Sequence, residues 1–202
     1  MDLILNYFSS IEIYCFIVIA IIIGAITQSA VGIGFGISGS LIILVEPTMI
    51  PQCIILMGTV LAFSNAFLSF NDILKKDLFF AFSGRIIGTF ISVPLIIYTI
   101  GTNNFLIIFG LLLLITVGVS AKKWSFKANM KNVSIAGACS GFMGTLTGIG
   151  GPPMGIVYQN SKSTNVVATL NMFFGVGALF SVIILTYIEL ITLKDVFKSL
   201  LL

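Results

Sequence analysis

The chain alternates between long apolar runs and short polar clusters. Charged residues are confined to the clusters, and five intervals of 25 to 36 residues contain no charge at all. A helix needs about 20 apolar residues to cross a hydrocarbon core about 30 Å thick, so every interval has room for a span. The runs consist of Ile, Leu, Phe and Gly, without the alternation of a lipid-facing barrel strand. The pattern predicts an all-α, polytopic integral membrane helical bundle.

Glycine interrupts two of the predicted spans. The run 13–45 would extend about 50 Å as one straight helix, which is longer than the bilayer is thick, and Val31–Gly36 places glycine at every second position inside it. The run 133–160 is interrupted at Gly148–Pro153, where two prolines remove amide donors. Non-helical backbone at membrane depth is tolerated only against protein or a watery cavity. We therefore expect two broken helices whose breaks lie at these Gly-rich motifs.

Two short segments recur in the second half of the chain. Gly32–Gly34 matches Gly148–Gly150 at an offset of 116, and Lys76–Phe79 matches Lys194–Phe197 at an offset of 118. A duplicated transporter half produces repeats of this length, whereas chance similarity between apolar segments is the alternative. The sequence leaves open whether the halves are parallel or inverted. The predicted division is a first membrane repeat of about four spans at 1–121, a basic cytoplasmic loop at 122–131 and an incomplete second repeat at 132–202.

The repeat also indicates what the second half lacks. The first half continues for two spans beyond Asp77, whereas the second extends only seven residues past Asp195. We expect six membrane passes where a full duplication would give eight, and the counterpart of Arg85 would fall at position 203. A transport-inactive truncated subunit or assembly partner is therefore the alternative to an active transporter.

Basic residues predict the orientation in the membrane. Lys75 and Lys76 precede a pair of predicted spans that turn at Gly101–Asn104, and the 122–131 loop follows the pair. Both basic loops must then lie on one side, which the positive-inside rule makes cytoplasmic. We expect the 101–104 turn outside and the protein in the cytoplasmic (inner) cell membrane.

Composition narrows the classes of function. Hydrophobic residues make up 58% of the chain and charged residues 8%, whereas a soluble domain carries roughly 25% charged residues. The chain has no histidine, and its three cysteines lie inside apolar runs. We therefore expect no metal, no cofactor and no enzymatic activity. No basic cluster is interleaved with aromatic residues, so nucleic acid is not an expected partner. The expected partners are the lipid bilayer and a small anionic substrate, and a homo-oligomer is left open.

The paired motifs at Gln28–Gly36 and Gly148–Pro153 resemble those of the TauE/SafE family, the sulfite-exporter-like permeases. The resemblance covers nearly the whole chain, and the second motif is the more specific one. It implies a secondary transporter that moves small sulfur-containing anions, such as sulfite and organosulfonates, across the cytoplasmic membrane. The chain departs from the family at its carboxy terminus, where members normally complete the second half.

The candidate substrate ligands are residues at the two breaks and one intramembrane arginine. Glycine lets backbone approach an oxyanion closely, and the amino termini of half-helices carry positive potential. Arg85 lies about 12 Å along a helix from Asp77, and its planar donors suit an anion, with snorkelling as the alternative. Close helix packing is the alternative role for the glycines. For the hydroxyls, the alternative is a hydrogen bond to a neighbouring helix or to a backbone carbonyl. Hydrogen bonds between helices are the expected role of Asn65 and Asn171. The predicted substrate-binding residues are Gln28, Ser29, Gly32, Gly34, Gly36, Arg85, Thr147, Gly148, Gly150, Gly151, Pro152 and Pro153.

Overall fold

A computed structural model describes residues 8, 10–121, 126–161 and 164–202. Within these ranges all regular structure is helical, which confirms the predicted all-α fold. Residues 122–125 of the predicted basic loop lie outside the described residues. The helices are α1 (Ile11–Val31), α2 (Phe35–Ile42), α3 (Gln52–Leu68), α4 (Lys75–Thr99), α5 (Asn103–Ala121), α6 (Met130–Thr147), α7 (Gly151–Tyr158), α8 (Thr164–Tyr187) and α9 (Leu193–Leu200), with short 3-10 turns at Pro47–Met49 and Phe70–Asp72.

The outer surface of the bundle is apolar. Large hydrophobic side chains such as Ile26, Phe67 and Leu68 are exposed over most of their area. Soluble proteins rarely expose an apolar surface of this kind to water. In the described part of the chain, α1, α4 and α8 are each long and apolar enough to cross a membrane. The protein is therefore an integral membrane helical bundle.

The first break is a reversal of the chain. α1 ends at Gly32, with φ of +79°, and Gly34 has φ of +143°, a region of backbone conformation that favours glycine. α2 then returns alongside α1, because a Cβ on Gly24 would lie only 2.1 Å from Oγ of Ser38. We call α1 and α2 the first hairpin.

The second break is built in the same way. α6 ends at Gly148, with φ of +77°, and α7 begins at Gly151 with two prolines in its first turn, where a helix needs no amide donor. A Cβ on Gly150 would lie 2.8 Å from the carbonyl oxygen of Ser140, and α7 packs against α6, so the chain again turns back along its preceding helix. We call α6 and α7 the second hairpin. Its capping glycine and its short helix both follow their counterparts in the first hairpin by 116 residues.

The two hairpins enter the bundle from opposite faces. α1 begins where the Tyr14 hydroxyl donates to the Leu201 carbonyl at 2.9 Å; we call this side the terminal face. α7 ends where the Tyr158 hydroxyl donates to the carboxylate of Asp77 at 2.8 Å, in the first turn of α4. That opposite side, which also carries Lys75, is called the basic face. The repeated hairpins are therefore related by inverted topology, a relationship that the sequence had left open.

The tips of the hairpins pack against each other reciprocally. A Cβ on Gly36 would lie 2.7 Å from Cγ2 of Ile149, and a Cβ on Gly155 would lie 2.8 Å from Cδ1 of Ile33. Each isoleucine comes from the break of one hairpin, and each glycine comes from the short helix of the other. Small residues let the two tips cross at close range.

α4 and α6 are in direct backbone contact. A Cβ on Gly84 would lie 1.9 Å from the carbonyl oxygen of Ser134, and a Cβ on Gly141 would lie 2.3 Å from the carbonyl oxygen of Arg85. Gly88 and Gly137 make equally close approaches, so both helices carry glycines four residues apart, as in small-xxx-small membrane packing. We call these four residues the glycine seam.

The terminal face contains a buried ion pair. Nζ of Lys198 in α9 lies 3.5 Å from Oε1 of Glu46 and donates to Oγ1 of Thr48 at 3.2 Å. Glu46 and Lys162 follow the two breaks at matching positions of the repeat, which predicts that both mark the water boundary. Glu46 is instead buried, because α9 covers the segment that follows the first hairpin. Lys162, its predicted counterpart, lies outside the described residues.

Candidate functional site

A cavity of about 60 Å³ lies where the two hairpin tips meet α3, α4 and α8. A cavity holds one water once it offers about 10–15 Å³ of this kind of volume, so the space suits several waters or one small oxyanion. It is lined by Gln28, Gly34, Phe35, Gly36, Ile54, Ile55, Gly58, Arg85, Gly144, Gly148, Gly150, Gly151, Phe174 and Ala178.

The cavity brings together most of the residues singled out from the sequence. Both broken helices contribute glycine backbone to its wall, and α4 contributes its arginine. Their role in substrate binding stays a prediction. The predicted residues that line the cavity are Gln28, Gly34, Gly36, Arg85, Gly148, Gly150 and Gly151.

The remaining predicted ligands lie near the breaks but outside the cavity lining. Ser29 is exposed, and its hydroxyl bonds with the side chain of Asn65. A Cβ on Gly32 would meet α8, so this glycine serves close packing. Thr147 accepts from the Ile149 amide at 3.1 Å and thereby caps the end of α6. The other two are Pro152 and Pro153, which begin α7.

Gln28 fixes the shape of the first hairpin. Its Nε2 donates to the carbonyl of Gly32 and to Oδ1 of Asn171, each at 3.0 Å. Its Oε1 accepts from the Phe35 amide at 3.3 Å, across the break. The bond to α8 confirms the interhelical role predicted for Asn171. Gln28 therefore holds the cavity wall in place.

Arg85 lies inside the bundle and does not snorkel to the interface. Only 3% of its surface is exposed. Its Nη1 donates to Oγ of Ser140 at 3.3 Å, and its Cζ lies 4.9 Å from the centre of the Phe173 ring, close enough for a cation–π contact. Among the described residues no carboxylate pairs with it, and its Nε has no hydrogen-bond partner.

The electrostatics of the cavity favour an anion. The amino termini of α2 and α7 both border it, and each directs the positive end of a short helix dipole toward it. Arg85 adds a full positive charge, and no acidic residue is among the lining residues. Glycine at Gly36 and Gly151 leaves the backbone bare at these helix starts, as in other anion sites.

Sequence reasoning missed several residues that shape the site. Gly84 and Gly88 set how closely α4 meets α6, and their four-residue spacing was a readable signal. Ser140 and Gly177 contact the Arg85 side chain directly. Neither carries a sequence signal, because serine and glycine recur throughout the apolar runs.

Comparison with known proteins identifies the family of the chain. The model of the family described as Sulfite exporter TauE/SafE matches residues 16–202. The chain belongs to the TauE/SafE family. The predicted resemblance is thereby confirmed, and this TauE/SafE protein is an integral membrane protein of a transporter family. No curated protein and no solved structure matches the chain.

Proposed function

We propose that this TauE/SafE protein is a secondary transporter of small anions of the sulfite or organosulfonate type. It acts as a multi-pass protein of the cytoplasmic membrane and binds its substrate in the cavity between the two hairpin tips. The observation that carries the proposal is Arg85, a buried arginine that borders the cavity without a carboxylate partner among the described residues.

An unpaired buried charge is costly, so it indicates a partner that arrives from outside the chain. A charged side chain inside a membrane protein usually faces a cavity and marks a substrate or ion pathway. A bound anion would supply the missing countercharge to Arg85. The aromatic rings of Phe173 and Phe174 also lie near the guanidinium, at 4.9 and 5.7 Å from its Cζ, and support the cation when the site is empty.

Each part of the site has a role in binding. The guanidinium offers paired donors that suit a sulfur oxyanion. The helix starts at Phe35 and Gly151 add partial positive charge from opposite hairpins. Because these hairpins enter from opposite faces, the substrate meets elements of both repeats at one site, as in other transporters built from inverted repeats.

The test is transport of sulfite by purified protein in proteoliposomes. Arg85→Gln should lower the initial rate at least about tenfold, since a hydrogen bond to a charged group contributes about 1.5–3 kcal/mol. Arg85→Lys should restore part of the rate, because lysine keeps the charge without the planar fork. The matched control is Lys75→Gln, which removes an exposed charge from the first turn of the same helix.

The outcomes separate clearly at equal protein abundance. A rate for Arg85→Gln equal to that of the wild type would show that the anion does not bind at Arg85. Loss in both Arg85→Gln and Lys75→Gln would indicate a general effect of charge on α4. Loss confined to Arg85→Gln supports the proposal.

A further inference from the structure

Ser140 of α6 lies between Arg85 and the second hairpin. It is fully buried. Its Oγ accepts from Nη1 of Arg85 at 3.3 Å and donates to the carbonyl of Gly150 at 2.6 Å. A hydroxyl has one proton, so donation to Gly150 leaves only lone pairs for the guanidinium. The direction of donation along this hydrogen-bond chain is therefore fixed. Arg85 donates to Ser140, and Ser140 donates to the carbonyl at the break.

This arrangement holds Nη1 of the guanidinium and leaves Nη2 on the side of the cavity. Nη1 is used by Ser140, whereas Nε has no partner among the described residues. Nη2 lies 3.4 Å from where a Cβ on Gly144 would stand, and Gly144 lines the cavity. Nε is buried against Gly177 of α8, so Nη2, with its two N–H donors, is the nitrogen on the cavity side that is left for an anion.

We propose that Ser140 is a positioning residue for the anion, an inference that rests on the proposed function. By holding Nη1, it keeps Nη2 of Arg85 directed toward Gly144 in the cavity wall. Through Gly150 it also ties the orientation of the guanidinium to the break of the second hairpin. Ser140 itself lies outside the cavity lining and acts through Arg85.

A second serine on α6, Ser134, forms a hydrogen bond that joins the same two helices away from the site. Oγ of Ser134 donates to the carbonyl of Phe80 in α4 at 3.0 Å. It joins the same two helices as Ser140 but touches neither Arg85 nor a lining residue of the cavity. Ser134→Ala is therefore a matched control, because it removes one interhelical hydroxyl bond and nothing of the site.

The experiment measures KM and kcat for sulfite in proteoliposomes. Ser140→Ala should raise KM about tenfold, the effect of losing one bond to a charged group, while kcat changes little. Ser134→Ala should leave KM unchanged. In an Arg85→Lys background, Ser140→Ala should have almost no further effect on KM, because lysine has no planar guanidinium for Ser140 to orient.

An unchanged KM in Ser140→Ala, or equal effects of Ser140→Ala and Ser134→Ala, would overturn the positioning role. So would a tenfold KM effect that persists in the Arg85→Lys background. If Ser140→Ala does not assemble, Ser140→Cys keeps the size, weakens both hydrogen bonds and is judged by the same criteria. Failure of the proposed function looks different, because Arg85→Gln would then transport sulfite at the wild-type rate.

Discussion

Gly177 of α8 closes over the side chain of Arg85. A Cβ at Gly177 would lie 1.8 Å from Nε of Arg85, so the guanidinium occupies its position only because this residue is glycine. We expect Gly177→Ala to displace the guanidinium and to lower the initial rate of sulfite transport about tenfold, since overpacking costs about 1–3 kcal/mol. The measurement is flux in proteoliposomes at equal protein abundance.

The control for Gly177→Ala is Gly110→Ala in α5, where a Cβ would meet none of the described residues within 4 Å. It makes the same chemical change in an apolar helix without touching the site. Transport by Gly177→Ala at the rate of Gly110→Ala would contradict the prediction.

The glycine seam should dominate the stability of the α4–α6 pair. A Cβ on Gly84 would lie 1.9 Å from the carbonyl oxygen of Ser134, and backbone cannot give way as a flexible side chain can. We expect Gly84→Ala to lower the free energy of unfolding in detergent by about 1–3 kcal/mol. Gly118→Ala in α5, where the added Cβ has no neighbour within 4 Å, should leave it unchanged. Similar midpoints in thermal unfolding for the two variants would rule out the seam as a stabilising contact.

The orientation in the membrane is testable by cysteine labelling. The ends of α4 and α8 lie on the same face, because Ile100, just after α4, packs against the buried cluster that contains Ile191, just after α8. In a background without the three native cysteines, an impermeant maleimide added to intact cells should label cysteines that replace Asn103 and Glu189. Cysteines that replace Lys75 and Lys127, on the basic face, should be protected. The reverse pattern would invert the topology.

A buried hydroxyl cluster should contribute to stability without affecting binding. Oγ1 of Thr145 lies 3.2 Å from that of Thr89 and 2.8 Å from Oγ of Ser181, so it joins three helices away from the cavity lining. Thr145→Val should lower the free energy of unfolding by about 1 kcal/mol, as expected for two interhelical hydrogen bonds. The KM for sulfite should stay at its wild-type value.

The control for this variant is Thr59→Val, since among the described residues the hydroxyl of Thr59 bonds within its own helix, to the carbonyl of Ile55 at 2.7 Å. A change in KM for Thr145→Val but not for Thr59→Val would place the hydroxyl cluster on the substrate path instead.

The positions of both breaks were predictable from the sequence, but the direction of the chain after them was not. Glycine at Gly32, Gly34 and Gly148 permits positive φ, and the sequence shows where this freedom is available. The turn back depends on contacts such as Gly24 against Ser38, which join residues that no periodicity relates. The inverted relationship between the hairpins became visible only with the contacts of Tyr14 with Leu201 and of Tyr158 with Asp77.

The same limit applies to the site. Arg85 is recognisable because a charge inside an apolar run needs an explanation. Ser29 and Ser140 look alike in the sequence, yet one is exposed and the other bonds to the guanidinium. Which of two small polar residues faces the interior depends on helix rotation, and uniformly apolar membrane helices carry little amphipathic signal to indicate it.

Because of the glycine seam, the parts of the protein that can move relative to each other do not coincide with the repeats of the sequence. α4 belongs to the predicted first repeat, but its backbone touches that of α6 in the second, with no layer of side chains between them. We expect the two helices to travel as one piece during any conformational change. Arg85 then stays in contact with Ser140 and the second hairpin. The hinge between the moving parts lies within the first repeat, at the short Phe70–Asp72 turn between α3 and α4.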